Sequence, residues 1–198
     1  MPTSFFMRNL TSSVGGAGGR LASQMRGTPN LQMFTTTTAG GTNIQVTETL
    51  GGTALQWFTE PITAAVTISG TVTVNIRGLE SATTVNAGAG VLIERCDNAG
   101  TVLSAIVPDS TFGLEWGTTD TARTGNLAPT STSMAVGERI KVTWKVRNVG
   151  TMGAGTVTNG YNGPGTAGET FVRFTEDIRT DEIIEVQPLQ GGGRYGYN

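Results

Sequence analysis

The stretch AAVTISGTVTVNIRG, residues 64–78, sets the fold class of this chain because its apolar and polar residues alternate. Successive residues of a β-strand point to opposite faces of the sheet, so one face of this stretch is apolar and the other carries mostly hydroxyl groups. The stretch IKVTWKVR, residues 140–147, repeats the pattern. We therefore predict two half-buried strands in the middle of two sheets, with a shared core between them.

The composition also favours β-structure. The 198 residues include 29 glycines and many threonines, and only 14% of the residues are charged. Threonine favours strands and glycine favours turns and bends. Turn signals separate roughly eight to ten short strands. The predicted fold class is all-β, a single jelly-roll-like antiparallel β-sandwich with an extended N-terminal arm and a short C-terminal tail.

Three local features refine this prediction. Gly70 interrupts the first alternating stretch and predicts a bend, so that the strand serves two edges of the sandwich. The residues Asp97–Gly100 form a turn signal between two apolar runs and predict a β-hairpin. Residues 117–131 are polar and predict a long loop.

The chain is divided by composition into three parts. Residues 1–30 are rich in Gly and Ser and predict an extended arm, residues 31–186 form the β-sandwich domain, and residues 187–198 form a tail. We expect the arm to become ordered on a neighbouring subunit, so that deletion of residues 1–30 leaves a folded domain. The predicted subunit-contact residues are the apolar tip and the arginines of the arm: Phe5, Phe6, Met7, Arg8, Arg20 and Arg26.

Several classes of chemistry are disfavoured by residue content. The chain has no histidine, which excludes imidazole bases and histidine-ligated metals, and it has one cysteine, Cys96, which excludes an intrachain disulfide. We predict no cofactor and no metal site. The net charge of −2 argues against a nucleic-acid partner, and the apolar run near the N-terminus is too short for a membrane span.

Acidic and aromatic residues are the remaining candidates for a site. Two carboxylates held about 5–9 Å apart can hydrolyse sugars, and five acids are available: Glu94, Asp97, Glu115, Glu176 and Asp177. We interpret them as solvated residues, and predict that the protein is not an enzyme. Among the tryptophans, Trp144 is in phase with the core, Trp57 could face either way, and Trp116 beside the polar loop is the possible glycan contact.

Four segments resemble the jelly-roll-like domain of small virion proteins in tailed bacteriophages. They are TEPITAAVTISGTVTVNIRGLES (59–81), NAGAGVLIERCDNAGTVLS (86–104), MAVGERIKVTWKV (134–146) and TFVRFTE (170–176), within a likeness that covers residues 55–178. The resemblance implies a fold of the kind already predicted, and it supplies no catalytic motif.

The resemblance also implies a function. The chain would be a non-enzymatic virion structural protein, a decoration or minor capsid protein that cements the capsid through its sandwich and its arm. The alternative is a minor tail protein, or a tail-tip module that binds a receptor or a glycan. The implied partners are copies of itself and the major capsid or tail proteins, without nucleic acid or membrane. The protein would be assembled in the host bacterial cytoplasm and located in the virion.

Overall fold

The computed structural model describes residues 1–16, 19–24, 32–41, 45–47, 49–50, 53–161 and 170–180. These residues form strands and connecting turns without an α-helix, which confirms the all-β prediction. The strands are β1 (Thr3–Thr11), β2 (Gly19–Ser23), β3 (Gln32–Gly41), β4 (Gln45–Thr47), β5 (Thr49–Leu50), β6 (Thr53–Ala54), β7 (Gln56–Thr59), β8 (Val66–Ile68), β9 (Val72–Glu80), β10 (Ala87–Cys96), β11 (Val102–Phe112), β12 (Thr121–Leu127), β13 (Thr132–Met134), β14 (Arg139–Asn148), β15 (Met152–Tyr161) and β16 (Phe171–Phe174).

Most of these strands belong to one hydrogen-bonded sheet that curls around the core. Its strands follow the order β12-β9-β16-β1-β2-β7-β14-β10-β11, with β15 and β3 extending from β9 and β4 from β14. The two ends of this path meet, because Phe112 of β11 lies over Gly125 of β12 and the amide of Thr130 donates to the carbonyl of Ile106. The pairing of β2 with β7 is parallel, so the sheet is mixed rather than wholly antiparallel as predicted.

The two alternating stretches supply the interior strands β9 and β14, but these strands belong to one sheet and not to two as predicted. Strand β9 lies between β12 on one edge and β15 and β16 on the other, and β14 lies between β10 and β7. Their apolar residues, including Val74 and Trp144, are fully buried in one core that draws on both halves of the sheet. Burial of each large apolar side chain contributes about 1.5–3 kcal/mol, so this core is the main source of stability.

The hydroxyl-rich face of β9 is used for contacts between neighbouring strands. Thr73 donates to the Asn126 side-chain oxygen at 2.9 Å, and Thr124 donates to that of Asn75 at 2.8 Å. Both contacts join directly opposed residues of β9 and β12. These polar side chains therefore add cross-strand hydrogen bonds to the backbone ladder.

The bend predicted at Gly70 is confirmed. The strand pattern stops between β8 and β9, and the two strands pair with different neighbours, β8 with β13 and β9 with the main sheet. The Glu176 carboxylate fills the bend, since its Oε1 accepts hydrogen bonds from the amides of Ser69 at 2.9 Å and Gly70 at 2.7 Å. Burial opposes ionisation of Glu176, but these bonds and one from Thr175 prevail and lower its pKa below the usual 4.5.

Replacing Glu176 with glutamine is expected to reduce the free energy of unfolding by about 1 kcal/mol at neutral pH. Because the pKa is lower in the folded state, this stabilisation is complete above pH 4.5 and is lost as the pH falls through the folded-state value. Urea unfolding of the parent and Glu176→Gln chains at stepped pH measures the difference. The neighbouring variant Asp177→Asn serves as the control and should show little change. A difference in the free energy of unfolding that is constant with pH would contradict a stabilising role for the ionised Glu176 carboxylate.

The hairpin predicted around Asp97–Gly100 is confirmed by the pairing of β10 with β11. The Asp97 side chain accepts hydrogen bonds from the amides of Ala99 and Thr101, and Gly100 has a φ of 87°, which favours glycine. The polar loop predicted over residues 117–131 is wrong in part, because Thr121–Leu127 forms strand β12. The sequence did not predict β12 as a strand because none of its side chains is fully buried.

The extended arm predicted over residues 1–30 is wrong for its two described strands. Strand β1 lies in the sheet between β2 and β16, and β2 pairs with β7. The sheet therefore crosses the predicted domain boundary at residue 30. The sequence did not predict these strands because the segment is rich in Gly and Ser. The alternation of Phe5 and Met7 is also too short to indicate a strand. The predicted C-terminal tail, residues 187–198, lies outside the described residues.

Candidate functional site

A buried carboxyl group occupies one end of the core. Glu80 is the last residue of β9 and is 1% exposed, because it continues the phase of the apolar residues of that strand. Its Oε2 accepts a hydrogen bond from the amide of Ala87 at 3.1 Å. Its Oε1 is buried and receives no hydrogen bond from the described residues. The Glu115 carboxyl group is near enough to contribute to raising the pKa of Glu80.

Glu115 belongs to a segment without regular structure, residues 113–120, that crosses this end of the core. The amide of Trp116 donates to the Ala87 carbonyl at 2.8 Å, and the amide of Glu80 donates to the Gly117 carbonyl at 3.0 Å. Arg123 of β12 donates to the carbonyls of Glu115 at 2.6 Å and of Leu114 at 3.2 Å. The segment is thus held from both β9 and β12.

Trp116 packs against a glycine that leaves it room. Gly78 and Asn159 lie opposite each other on β9 and β15, and both are buried. A Cβ atom on Gly78 would overlap the Asn159 side-chain oxygen and would lie 3.1 Å from Cε2 of Trp116. Glycine is therefore required at position 78 because the Asn159 and Trp116 side chains approach it closely, and not because of its backbone conformation.

Replacing Gly78 with alanine is expected to reduce the free energy of unfolding by about 1–3 kcal/mol through overpacking. The new methyl group would displace Asn159 or Trp116, so the tryptophan fluorescence of the folded protein should also change. Gly117→Ala is a matched control in the same region, because a Cβ atom at Gly117 would have no neighbour within 4 Å. Equal stability of the two variants in urea unfolding would contradict the close contact.

The surroundings of Glu80 disfavour its ionised form. Burial raises the pKa of Glu80, the hydrogen bond from Ala87 opposes the shift, and the charge and hydrogen bonding of Glu115 add to it. Burial and a nearby like charge both disfavour the charged form of a carboxyl group. Glu115 itself is partly exposed.

The other candidate acids are each engaged elsewhere. Glu94 pairs with Lys141 at 2.7 Å and Asp177 with Arg179 at 3.1 Å, while Asp97 and Glu176 bind backbone amides. Among the described residues, Glu115 is the one of the five that raises the pKa of a buried carboxyl group, that of Glu80. Glu80 was not among the sequence candidates. Its phase with Val72, Val74 and Ile76 was the signal that could have identified it.

The three tryptophans are all buried, at 0–1% exposure. This confirms the core position of Trp144 and corrects the expectation that Trp116 is exposed. A buried indole offers no face on which a sugar can stack. The Trp116 Nε1 atom is buried without a hydrogen-bond partner among the described residues.

The residues predicted to contact another subunit are used within this chain. Phe5 and Met7 are buried in the core, and Phe6 packs edge-on against Phe171 at a centroid distance of 6.1 Å. The Arg8 carbonyl accepts a hydrogen bond from the Trp57 indole at 3.1 Å, and Arg20 is also buried. These placements correct the predicted contact arm, while Arg26 lies outside the described residues.

No group of three or more His, Cys, Asp or Glu residues in the described ranges is arranged to hold a metal ion. Burial raises the pKa of the Cys96 thiol to about 11. Within the part of the chain that the structure describes, no helix is long and apolar enough to cross a membrane.

Comparison with known proteins identifies the fold but no family. No family model and no curated protein matches the sequence. Among solved structures, a CocE/NonD family hydrolase from Staphylococcus aureus is similar over 91% of this chain, with a TM-score of 0.55 and 8% identity. An aminopeptidase from a Thaumarchaeota archaeon of marine sediment is similar over 89%, with a TM-score of 0.54 and 8% identity. An α-amino acid ester hydrolase is similar over 89%, with a TM-score of 0.53 and 11% identity.

These likenesses cover only part of each solved chain. The matched region amounts to 36% of the CocE/NonD hydrolase and of the ester hydrolase, and to 37% of the aminopeptidase. At these identities the likeness establishes a shared fold. This chain therefore corresponds in fold to about a third of each of these enzymes.

The resemblance to virion proteins of tailed bacteriophages is wrong. Solved structures that share this fold over about nine-tenths of the chain include two hydrolases and an aminopeptidase. The predictions of a non-enzymatic capsid or tail protein and of a location in the virion were derived from that resemblance and are corrected with it. The motifs behind it, a Ser-Gly-Thr strand and a turn-rich hairpin, are features that β-sandwiches share. Self-association stays a prediction.

Proposed function

We propose that this chain is the β-unit of a hydrolytic enzyme and acts together with catalytic polypeptide that it does not itself contain. The observation that carries the proposal is the extent of the fold likeness. It takes in about nine-tenths of this chain but only 36–37% of the hydrolase and aminopeptidase chains. The remaining length of those enzymes has no counterpart among these 198 residues.

The residue content of the chain also supports the proposal that the catalytic groups belong to other polypeptide. Without a histidine the chain cannot form a serine–histidine or cysteine–histidine pair for nucleophilic attack. Its one thiol, Cys96, is buried with a pKa raised to about 11, so it is a poor nucleophile at neutral pH. The Glu80 carboxyl group is buried beneath the 113–120 segment, which keeps substrate away from it. The reacting groups would therefore be supplied by other sequence.

The proposal is tested by comparing native and recombinant protein. Native material containing this chain, isolated under mild conditions and identified by mass spectrometry, is assayed on p-nitrophenyl esters, α-amino acid esters and amino acid p-nitroanilides. The recombinant 198-residue chain is assayed in parallel. We expect hydrolysis to co-elute with the native material and to be absent from the recombinant chain.

Two results would overturn this proposal. Native material that hydrolyses none of the esters or amides would remove the enzymatic role. Turnover by the recombinant chain that is lost in Glu115→Gln but retained in Glu94→Gln would place the chemistry in this chain itself.

A further inference from the structure

We propose that strand β3, residues Gln32–Gly41, is the surface through which two copies of this chain associate. The two β3 strands would lie side by side and antiparallel across a two-fold axis, and backbone hydrogen bonds between them would join the sheets of both copies into one. This inference does not depend on the proposed enzymatic role, because it rests on the backbone and the composition of β3.

Strand β3 stands at one end of the hydrogen-bonded sheet. It pairs with β15 along its whole length, from Gly41 opposite Met152 to Gln32 opposite Tyr161. No described strand pairs with its other edge, because the short hairpin β5–β6 approaches β3 but forms a sheet of its own. Alternate residues of an antiparallel strand direct their amide and carbonyl groups to opposite edges. About half of the β3 backbone groups therefore point away from β15.

The opposite end of the sheet is closed. Strand β11 ends the order there, but its Phe112 lies over Gly125 of β12, and the Ile106 carbonyl accepts a hydrogen bond from the amide of Thr130. Strands β10, β14 and β15 are paired on both edges. Among the described strands of ten residues or more, β3 is therefore the one with an edge open to another strand.

The edge of β3 lacks the features that keep exposed strands apart. Natural edge strands are commonly very short, or they carry bulges, prolines or charged residues, above all lysine. Residues 32–41 include no proline and no charged residue, and neither do residues 152–161 of β15. The register of β3 with β15 also contains no bulge. The strand is thus a ten-residue template for backbone pairing, with no charge of its own to oppose it.

A second copy of the chain is the occupant that fits this edge. Pairing over ten residues requires a partner with an equally long open edge, and the described structure contains one such edge, that of β3 itself. Two uncharged strands also meet without like-charge repulsion. A two-fold axis uses the same edge in both copies and leaves neither edge open, so the assembly closes as a dimer and does not grow into a fibre.

The two-fold axis also defines which residues meet. Antiparallel strands related by such an axis place one residue directly opposite its own copy, and nearly all of β3 is paired when that residue is Thr36 or Thr37. Directly opposed residues have Cα atoms about 4.5–5.5 Å apart, which is within the reach of a disulfide. Cysteines at these two positions can therefore report the contact.

Sedimentation velocity of the full chain over a range of protein concentrations tests for the dimer. We expect the parent chain to dimerise, and we expect Thr37→Lys to raise the dissociation constant about tenfold or more. The Thr37 side chain is exposed, so the substitution would place one lysine from each copy beside the paired edges. The control is Ala154→Lys on the inner strand β15, where the residue is also exposed and lies opposite Ala39. It should dimerise like the parent chain.

Cross-linking locates the contact. Cysteine is introduced singly at Thr36, at Thr37 and at Ala154, and each variant is oxidised with copper–phenanthroline. We expect a disulfide-linked dimer from Thr36→Cys or Thr37→Cys, but not from Ala154→Cys. The native Cys96 is buried and does not contribute. If Thr37→Lys does not fold, the cysteine variants decide, because they leave the strand uncharged.

Three results would overturn the proposal. The first is a parent chain that sediments as a monomer, which would mean that the β3 edge is unused or is covered by other polypeptide. The second is a dimer whose dissociation constant is unchanged by Thr37→Lys or is raised equally by Ala154→Lys. The third is cross-linking that is equal in the three cysteine variants or absent from all of them.

Discussion

Replacing Phe5 with alanine is expected to lower the free energy of unfolding by about 3–5 kcal/mol. Phe5 is 1% exposed, and it packs edge-on against Phe174 of the neighbouring strand at a centroid distance of 6.1 Å. Strand β1 is paired on both edges, so the structure around the cavity cannot easily collapse into it. Because small domains are stable by only about 5–15 kcal/mol, urea unfolding should show a large shift of the midpoint.

Phe6→Ala is the matched control for this prediction. Phe6 is the next residue of the same strand but points to the other face, where it is partly exposed and packs on Phe171. Its replacement should cost about 1 kcal/mol, in the range of a single aromatic pair. If the two variants were equally stable, β1 would not belong to the core, and the prediction of an extended arm would be right.

Replacing Arg139 with methionine is expected to reduce the free energy of unfolding by about 3–5 kcal/mol. The Arg139 side chain is buried and donates to the carbonyl of Thr59 at 2.9 Å, to that of Asn98 at 3.1 Å and to Ser13 at 3.2 Å. These partners lie on β7, on the β10–β11 turn and on the loop after β1. Methionine fills similar space but leaves buried acceptors without a donor.

The control for this variant is Arg179→Met. Arg179 pairs with Asp177 at 3.1 Å, but its side chain is 70% exposed, and such pairs contribute about 0–1 kcal/mol. Thermal and urea unfolding of the two variants compare the same substitution in a buried and in an exposed setting. Similar losses in both would show that Arg139 does not tie these three segments together.

The parts of the fold that the sequence predicted are those with a local signal. The alternating stretches identified the central strands β9 and β14, Gly70 marked the break before β9, and Asp97–Gly100 marked the hairpin turn. Each signal lies within a few residues and follows from strand geometry or turn conformation. Strand β12 was missed because it lacks a buried face, and β1 was missed because its surroundings are rich in Gly and Ser.

The candidate site was predicted only in part. Glu115 was named as an acid, but nothing local distinguishes it from Glu94 or Asp97. Its nearness to Glu80, 35 positions away in sequence, arises because the 113–120 segment is hydrogen-bonded to the end of β9. The assignment to a virion failed for a related reason, since strand and turn motifs indicate a sandwich but do not indicate what the sandwich belongs to.

By itself the sequence determined that this chain is all-β, that two alternating stretches contribute to the core, and that histidine-dependent chemistry is absent. Only the tertiary structure decided that the N-terminal strand completes the sheet, that Trp116 is buried, and that Glu80 is a buried acid. The physical reason is that alternation and turn residues act over a few positions. The partner of a strand, and the charge that a carboxyl group meets when it is buried, depend on which distant segments pack together.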